Sequence, residues 1–150
     1  MIQEPSIAPI RIAELSKGYA GAQSNLGFKY ASGLGIPQDD AEAVRWYRLA
    51  ADQGYVNARY NLGNMYENGD GVVQDYVEAA RWYRLAADQG DVEAQRILGY
   101  MDANGRGVPQ DYVEAVRWYR LAVDQGSASA RADLLITNCR QAETSGRGRT

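Results

Sequence analysis

The chain has 150 residues, a formal net charge of −3 and 45% hydrophobic residues, as expected for a soluble globular protein. This acidic balance argues against a nucleic-acid-binding protein that follows the phosphate backbone. There is no histidine and only one cysteine, Cys139, so neither a Cys/His metal cluster nor an intramolecular disulfide can form within one chain. We therefore expect no metal and no other cofactor.

The N-terminal residues, Met1 to Pro5, contain neither a basic region nor a continuous apolar region, so no signal peptide is predicted. No stretch approaches the ~18 apolar residues that a membrane span requires. A cytoplasmic protein without a membrane role is the default prediction. A secreted or periplasmic protein whose signal peptide had been removed would show the same sequence.

A nearly identical segment occurs three times, beginning at Glu42, Glu78 and Glu114. Its tryptophans recur every 36 residues. A fixed period of this length is typical of stacked repeat arrays and decides the fold class.

In chain order, residues 1–18 are predicted to form an N-terminal extension with a capping helix from about Pro9 to Lys17. Three full repeats of two helices each follow, at 19–54, 55–90 and 91–126. Residues 127–143 contain one further helix, which we interpret as a C-terminal cap. Residues 144–150 form a Gly/Arg tail that is predicted to be disordered.

The first helix of each repeat carries an apolar face and an internal glycine. In the second repeat this helix is predicted over Val56–Asn68. A glycine inside a helix costs about 1 kcal/mol relative to alanine. Its recurrence predicts a close approach by a neighbouring helix, and the glycines concerned are Gly27, Gly63 and Gly99.

A Gly-x-Gly turn follows each first helix. Because a helix precedes it and not a strand, we interpret the turn as a helix C-cap with positive φ angles and not as a phosphate-binding loop. Each second helix begins at an aspartate followed by a glutamate three residues later, a variant of the capping box. These aspartates are Asp39, Asp75 and Asp111.

The second helices place Trp and Tyr on a buried stripe, as Trp82 and Tyr83 show. Three antiparallel helix pairs predict an all-α fold, a right-handed solenoid of 36-residue repeats with a capping helix at each end.

The motif Asn61-Leu62-Gly63-x-x-Tyr66-x-x-Gly69-x-Gly71, followed by Asp75-x-x-x-Ala79-x-x-Trp82-Tyr83, closely resembles the SLR (Sel-one-like repeat) family, which is related to the tetratricopeptide repeats. The resemblance covers about 19–141. It implies a scaffold that binds proteins or peptides on a concave surface, and not an enzyme in itself. Family members serve as adaptors in protein quality control, signalling and bacterial partner interactions. The chain departs from the pattern at Asp102, where the other repeats have tyrosine.

The outward positions of the first helices vary between repeats while the core positions repeat. In related stacks these helices line the concave surface, so the variable positions are predicted to contact a partner. Side-chain amides suit a peptide backbone, and aromatic residues and arginine are enriched at binding hot spots. The predicted partner-binding residues are Asn25, Phe28, Tyr60, Asn61, Asn64, Arg96 and Tyr100.

The resulting prediction is a monomeric adaptor that binds a protein or extended peptide, with no nucleic acid, no membrane and no catalytic residues. Two alternatives stay open. A structural module could self-associate through the exposed ends, particularly Leu134, Leu135 and Ile136. An inhibitor or immunity-type protein could use the same groove to recognise a folded partner.

Overall fold

A computed structural model describes residues 18–147, and these contain seven helices and no strand. The predicted N-terminal capping helix at 9–17 and the last three residues lie outside the described residues. The all-α repeat fold is confirmed. The helices are α1 (Ala20–Ser32), α2 (Asp40–Asp52), α3 (Val56–Asn68), α4 (Tyr76–Asp88), α5 (Val92–Asn104), α6 (Tyr112–Asp124) and α7 (Ala128–Arg147).

The chain divides into two compact units, Met1–Gln74 and Asp75–Thr150, here called unit 1 and unit 2. In unit 1, α2 packs against both α1 and α3. In unit 2, α5 packs against α4 and α6, and α7 packs mainly against α6. The division does not coincide with the boundaries of the predicted repeats, which stay predictions.

Each second helix has the predicted aspartate at its N-cap. Asp39 accepts a hydrogen bond from the backbone N–H of Glu42, and Asp75 and Asp111 each accept two such bonds. The glutamate of the predicted capping box has a different partner: Glu78 forms an ion pair with Arg81 at 3.3 Å, and the other two repeats have the same pair. An exposed pair of this kind contributes about 0.2–0.5 kcal/mol.

The predicted helix ends are also confirmed. Both glycines of every Gly-x-Gly turn have positive φ, for example 76° at Gly69 and 69° at Gly71. This left-handed conformation closes the helix without a side-chain clash. The second helices end at a glutamine followed by a positive-φ glycine.

The Trp-Tyr pairs of α2, α4 and α6 are buried, as the apolar stripe predicted. Their rings also explain the glycines of the first helices. A Cβ added at Gly27 would lie 2.8 Å from the ring of Tyr47, and one added at Gly99 would lie 2.7 Å from the ring of Tyr119. Real Cβ atoms essentially never come so close, so each glycine is required by the tyrosine that packs on it.

Replacing Gly99 by alanine should therefore destabilise the protein. Overpacking costs about 1–3 kcal/mol, and this exceeds or cancels the gain of about 1 kcal/mol in helix propensity. Gly21 in α1 is a matched control, because its added Cβ would lie 3.7 Å from the ring of Tyr55, an ordinary contact. Thermal unfolding should show a lower melting temperature for Gly99→Ala and an unchanged or higher one for Gly21→Ala. Equal increases for both would contradict the assigned contact.

A buried polar position in the first helices was not predicted. Gln23 accepts a hydrogen bond from Gln53 at 2.6 Å, and Gln95 accepts one from Gln125 at 2.9 Å. At the equivalent position of the second repeat, Arg59 donates to the backbone carbonyl of Ala51 at 3.1 Å. These bonds connect each first helix to the end of a second helix within the same unit.

The C-terminal helix α7 continues to Arg147, so the predicted cap at 127–143 is too short and residues 144–147 are helical instead of disordered. The hydroxyl of Thr144 donates to the carbonyl of Gln141, which occupies its polar group within the helix. Among the described residues, no helix has the length and apolar character needed to cross a bilayer.

Candidate functional site

Five of the predicted partner-binding residues lie in unit 1, on α1 and α3. Asn25 and Phe28 are exposed and lie one turn apart on α1. Tyr60 and Asn64 lie one turn apart on α3, and they are half-buried together with Asn61. The patch therefore offers three amides and two aromatic rings on the first helices of this unit.

The other two predicted residues, Arg96 and Tyr100, lie one turn apart on α5 in unit 2. Arg96 already has two carboxylate partners in this unit: Glu93 at 3.2 Å and Asp133 at 3.4 Å. Partial burial lowers the pKa of Arg96, but these carboxylates outweigh that effect and raise the pKa above its ordinary value. A ligand carboxylate would therefore compete with Glu93 and Asp133 for Arg96.

Tyr100 forms one wall of a depression of about 210 Å³ between α5, α6 and α7. Its side chain is 43% exposed. The guanidinium of Arg106 lies 5.8 Å from the centroid of its ring. The depression is lined by Tyr100, Ala103, Asn104, Tyr119, Asp133, Ile136, Thr137 and Arg140.

The lining of this depression has an apolar part and a charged part. Ile136 is exposed although it is a large apolar residue, and Tyr119 is buried behind it. Burial, with a further contribution from Asp133, raises the pKa of Tyr119 to about 12, so its hydroxyl stays protonated at neutral pH. Arg140 is exposed, and the described part of the chain shows no ion pair for it. It is therefore a better candidate than Arg96 for binding an anionic group.

Sequence reasoning missed Arg140 and Asp133 because the C-terminal helix was interpreted only as a cap, although Asp133 is the equivalent of the predicted binding residues Asn25 and Asn61. The position of Tyr60 and Arg96 is taken by Ser24 in the first repeat, and Ser24 is buried. The equivalent Tyr60 and Arg96 are half-buried. A serine is too short to extend beyond its helix surface, whereas these longer side chains reach the solvent.

The exposed end proposed for self-association is only partly exposed. Leu134 packs against the core cluster that contains Ala130 and Tyr119. Leu135 and Ile136 are exposed. Ile136 belongs to the depression beside Tyr100, so only Leu135 stays as an apolar residue without an assigned role on α7.

Three consecutive segments, residues 20–55, 56–91 and 92–127, match the family model of the Sel1 repeat. The chain belongs to the Sel1 repeat family. Sel1 repeat proteins are generally protein-interaction scaffolds, and their fold is a non-catalytic one.

Similar solved structures agree with this assignment. A Sel1 repeat protein from Oxalobacter formigenes is 40% identical over 77% of this chain and 48% of its own, with a TM-score of 0.76. A protective antigen present in uropathogenic Escherichia coli strains, which displays an SLR fold, is 44% identical over 80% of this chain and 26% of its own, with a TM-score of 0.77. Cysteine rich protein B from Helicobacter pylori is 27% identical over 79% of this chain and 92% of its own, with a TM-score of 0.65.

This Sel1 chain thus spans 48% of the first of these proteins and 26% of the second. A comparison with curated proteins gives no significant match.

Proposed function

We propose that this Sel1 repeat chain is an adaptor that binds a protein or an extended peptide through the outward faces of its first helices. The observation that carries the proposal is the depression beside Tyr100. It combines a partly exposed aromatic wall, an exposed isoleucine and a charged rim within one unit. Apolar concave sites with a few polar groups at the edge are typical of ligand-binding sites.

The depression suits one apolar side chain of a ligand, placed between Tyr100 and Ile136. Arg106 already supports the ring of Tyr100, which keeps the wall in place before a ligand arrives. The amide nitrogen of Asn104 donates to the carbonyl of Tyr100 at 2.8 Å, so its amide oxygen is available to accept a ligand N–H. Arg140 at the rim suits a carboxylate of the ligand.

Arg96 has a positioning role in this scheme. Its bond to Asp133 connects α5 to α7 beside the depression, while its bond to Glu93 stays within α5. Asp133 is thereby held by a cation, which reduces its repulsion of an acidic ligand. We therefore expect acidic ligands to bind through Arg140 and not through Arg96.

The predicted binding residues of unit 1 form a second proposed contact surface, here called the unit 1 patch. The amides of Asn25, Asn61 and Asn64 suit the backbone groups of an extended segment, and Phe28 and Tyr60 offer apolar contact area at a low entropic cost. The two patches are proposed as separate contact surfaces for the same class of ligand.

The proposal can be tested with random peptides displayed on phage and selected against the full chain. Tyr100→Ala should weaken the binding of selected peptides by about 1–2 kcal/mol, roughly five- to thirtyfold, because it removes a central aromatic contact. Arg81→Ala is the matched control, since Arg81 is an exposed residue of unit 2 that contacts Glu78 and the Trp82 ring on its own helix and does not line the depression. Its affinity should change less than about twofold. Isothermal titration of both variants gives the comparison.

Two results would contradict this proposal. If Arg81→Ala abolished peptide binding while Tyr100→Ala bound normally, the partner would lie on the second helices. If no peptide were selected but a folded protein bound and Tyr100→Ala weakened it, the inhibitor-type alternative would replace the peptide-binding one.

A further inference from the structure

The outward face of α7 carries an apolar seam along its length. This helix packs on its own unit through Ala130, Leu134 and Thr137. On the opposite side, exposed and uncharged residues recur at a spacing that alternates between four and three. They are here called the α7 seam and are Ala128, Ala132, Leu135, Cys139, Ala142 and Gly146. The outward face of a surface helix is normally polar, and this spacing is the one by which two helices pair along a seam.

The exposure of the seam distinguishes α7 from the other first helix of its unit. In α5, Gly99 is the equivalent of Leu135, and the ring of Tyr119 on α6 packs on it. Ala103, the equivalent of Cys139, is buried in the core cluster that contains Tyr119. By contrast, Leu135 is 63% exposed and Cys139 is exposed. The face that α6 covers on α5 is therefore open on α7 within the described part of the chain.

The residues of α7 do not suit a second helix of the repeat type. A Cβ at position 99 would already lie 2.7 Å from the ring of Tyr119. Leu135 has a whole side chain at the equivalent position, so a tyrosine ring could not pack there in the same way. The helix also continues through the two positions of the Gly-x-Gly turn, which are Gln141 and Glu143 here. The seam therefore suits an occupant other than a further repeat.

We infer that this occupant is the α7 seam of a second copy of the chain, antiparallel to the first and related to it by a two-fold axis. The axis passes midway between Leu135 and Cys139, and the seam is then complementary to itself. Every contact pair contains at least one small side chain, so the helices approach closely along their whole length. The pairs are Leu135 with Cys139, Ala132 with Ala142, and Ala128 with Gly146.

A parallel pair of helices would fit less well. Leu135 would meet Leu135 of the second copy, while the next layer would pair Ala132 with Ala132 and leave space between the helices. Unfilled space of this kind loses packing contacts. The antiparallel pair also places the positive N-terminal end of each α7 beside the negative C-terminal end of the other.

The residues that border the seam are compatible with the antiparallel pair. On one side, Arg131 lies beside Ser145 of the second copy, and on the other side Glu143 lies beside Ser129. No like charges therefore face each other across these positions. Ile136, which is 53% exposed, adds apolar area next to the seam.

A two-fold contact uses the same surface on both copies, so it closes at the dimer and adds no further copies. A pair of 20-residue helices gives a smaller interface than the ~1,600 Å² of a standard one. We therefore expect a dimer that dissociates at micromolar concentrations. It would replace the monomer expected from the sequence.

Sedimentation velocity of the full chain over a series of concentrations tests the association. The mean mass should rise with concentration and reach a plateau at twice the mass of one chain. Leu135→Glu places a carboxylate at the centre of the seam and should weaken association by about tenfold or more, because the charge must lose its water. Val77→Glu is the matched control, since Val77 is 66% exposed on α4 and does not belong to the seam. It should associate like the unsubstituted protein, and circular dichroism verifies that both variants keep their helices.

Cys139 reports the orientation of the two helices, because it is the only cysteine of the chain. In the antiparallel dimer the two Cys139 residues lie about 6 Å apart along the helix and about 8 Å apart across it. Their Cα atoms are then about 10 Å apart, which exceeds the ~7 Å that a disulfide can bridge. A bismaleimide of matching length should link the two copies, whereas mild oxidation should give little disulfide. Leu135→Glu keeps Cys139 and should lose the crosslink at the same concentration.

The seam and the proposed peptide-binding residues can be tested separately. Tyr100→Ala should leave the association unchanged, and Leu135→Glu should leave peptide binding unchanged. Ile136 borders both surfaces and is therefore not substituted. The inference is overturned if the unsubstituted chain stays monomeric at every concentration, if its mass grows beyond the dimer, or if Leu135→Glu associates as strongly as the unsubstituted chain. Efficient formation of the Cys139 disulfide on oxidation would overturn the antiparallel arrangement.

Discussion

Trp82→Ala is expected to destabilise the protein by about 3–5 kcal/mol, a large share of the ~5–15 kcal/mol that a typical domain has. Trp82 is almost fully buried in α4. Its indole N–H donates to Glu78 at 3.0 Å, so the side chain combines apolar burial with a satisfied polar group. Chemical denaturation followed by circular dichroism measures the loss. A midpoint close to that of the unsubstituted protein would show that Trp82 is not part of the core.

The equivalent tryptophan of the third repeat gives a matched comparison. Within the described part of the chain, the buried indole N–H of Trp118 has no hydrogen-bond partner. Trp82→Phe loses a hydrogen bond, whereas Trp118→Phe removes a donor that is already unsatisfied. Since an unsatisfied buried group costs about 1–3 kcal/mol, Trp118→Phe should be the milder change of the two. The opposite order would mean that Trp118 has an unrecognised polar partner.

The fold could be predicted from the sequence because the same pattern of residues occurs in all three repeats. Asp75 as N-cap, Gly69 as helix end and Gly99 as a contact glycine each follow from local chemistry that recurs at a fixed spacing. A residue that occurs at the same position in every copy belongs to the repeat unit. Comparing the copies within one chain therefore separates structural residues from coincidental ones. These predictions needed no knowledge of how distant segments meet.

The candidate site was harder to predict because its partners are distant in sequence. Of the two carboxylates that bind Arg96, that of Asp133 is 37 residues away on the capping helix. Arg140 lies in the same helix, at a position where the full repeats have serine or asparagine, so the repeat comparison does not predict an arginine there. The exposure of a position also depends on the length of its side chain and not only on its place around the helix. For this reason Ser24 is buried, whereas Arg96 at the equivalent position is not.

Asp102 is where the third repeat departs from the pattern, and the departure has an energetic consequence. Tyr66 occupies the equivalent position in unit 1, where its hydroxyl accepts a hydrogen bond from Arg48. Asp102 is only 3% exposed, and its Oδ2 has no hydrogen-bond partner among the described residues. Burial raises the pKa of Asp102 to about 6; the nearby Arg84 lowers it in part, and Glu114 and Asp111 raise it further.

This raised pKa predicts how stability depends on pH. The folded protein holds a proton on Asp102 up to about pH 6, whereas the unfolded chain releases it near the ordinary value of 3.8. Between these values the folded state binds more protons, so the free energy of unfolding falls as the pH rises. Because of Asp102, the free energy of unfolding therefore falls progressively from about pH 4 to pH 6. At neutral pH, the buried charge of Asp102 lowers the free energy of unfolding by at most about 3 kcal/mol.

Asp102→Asn should remove this cost, because an amide stays uncharged at every pH. We expect a higher melting temperature at neutral pH and a flatter dependence of stability on pH between about 4 and 7. Asp124→Asn, an exposed change on α6, is the control and should leave the pH dependence of the unsubstituted protein in place. Thermal unfolding in a series of buffers measures all three proteins. If Asp102→Asn were instead less stable at neutral pH, and the unsubstituted protein gained stability as the pH rose, Asp102 would be a charged partner of Arg84 and the burial cost would be outweighed by that ion pair.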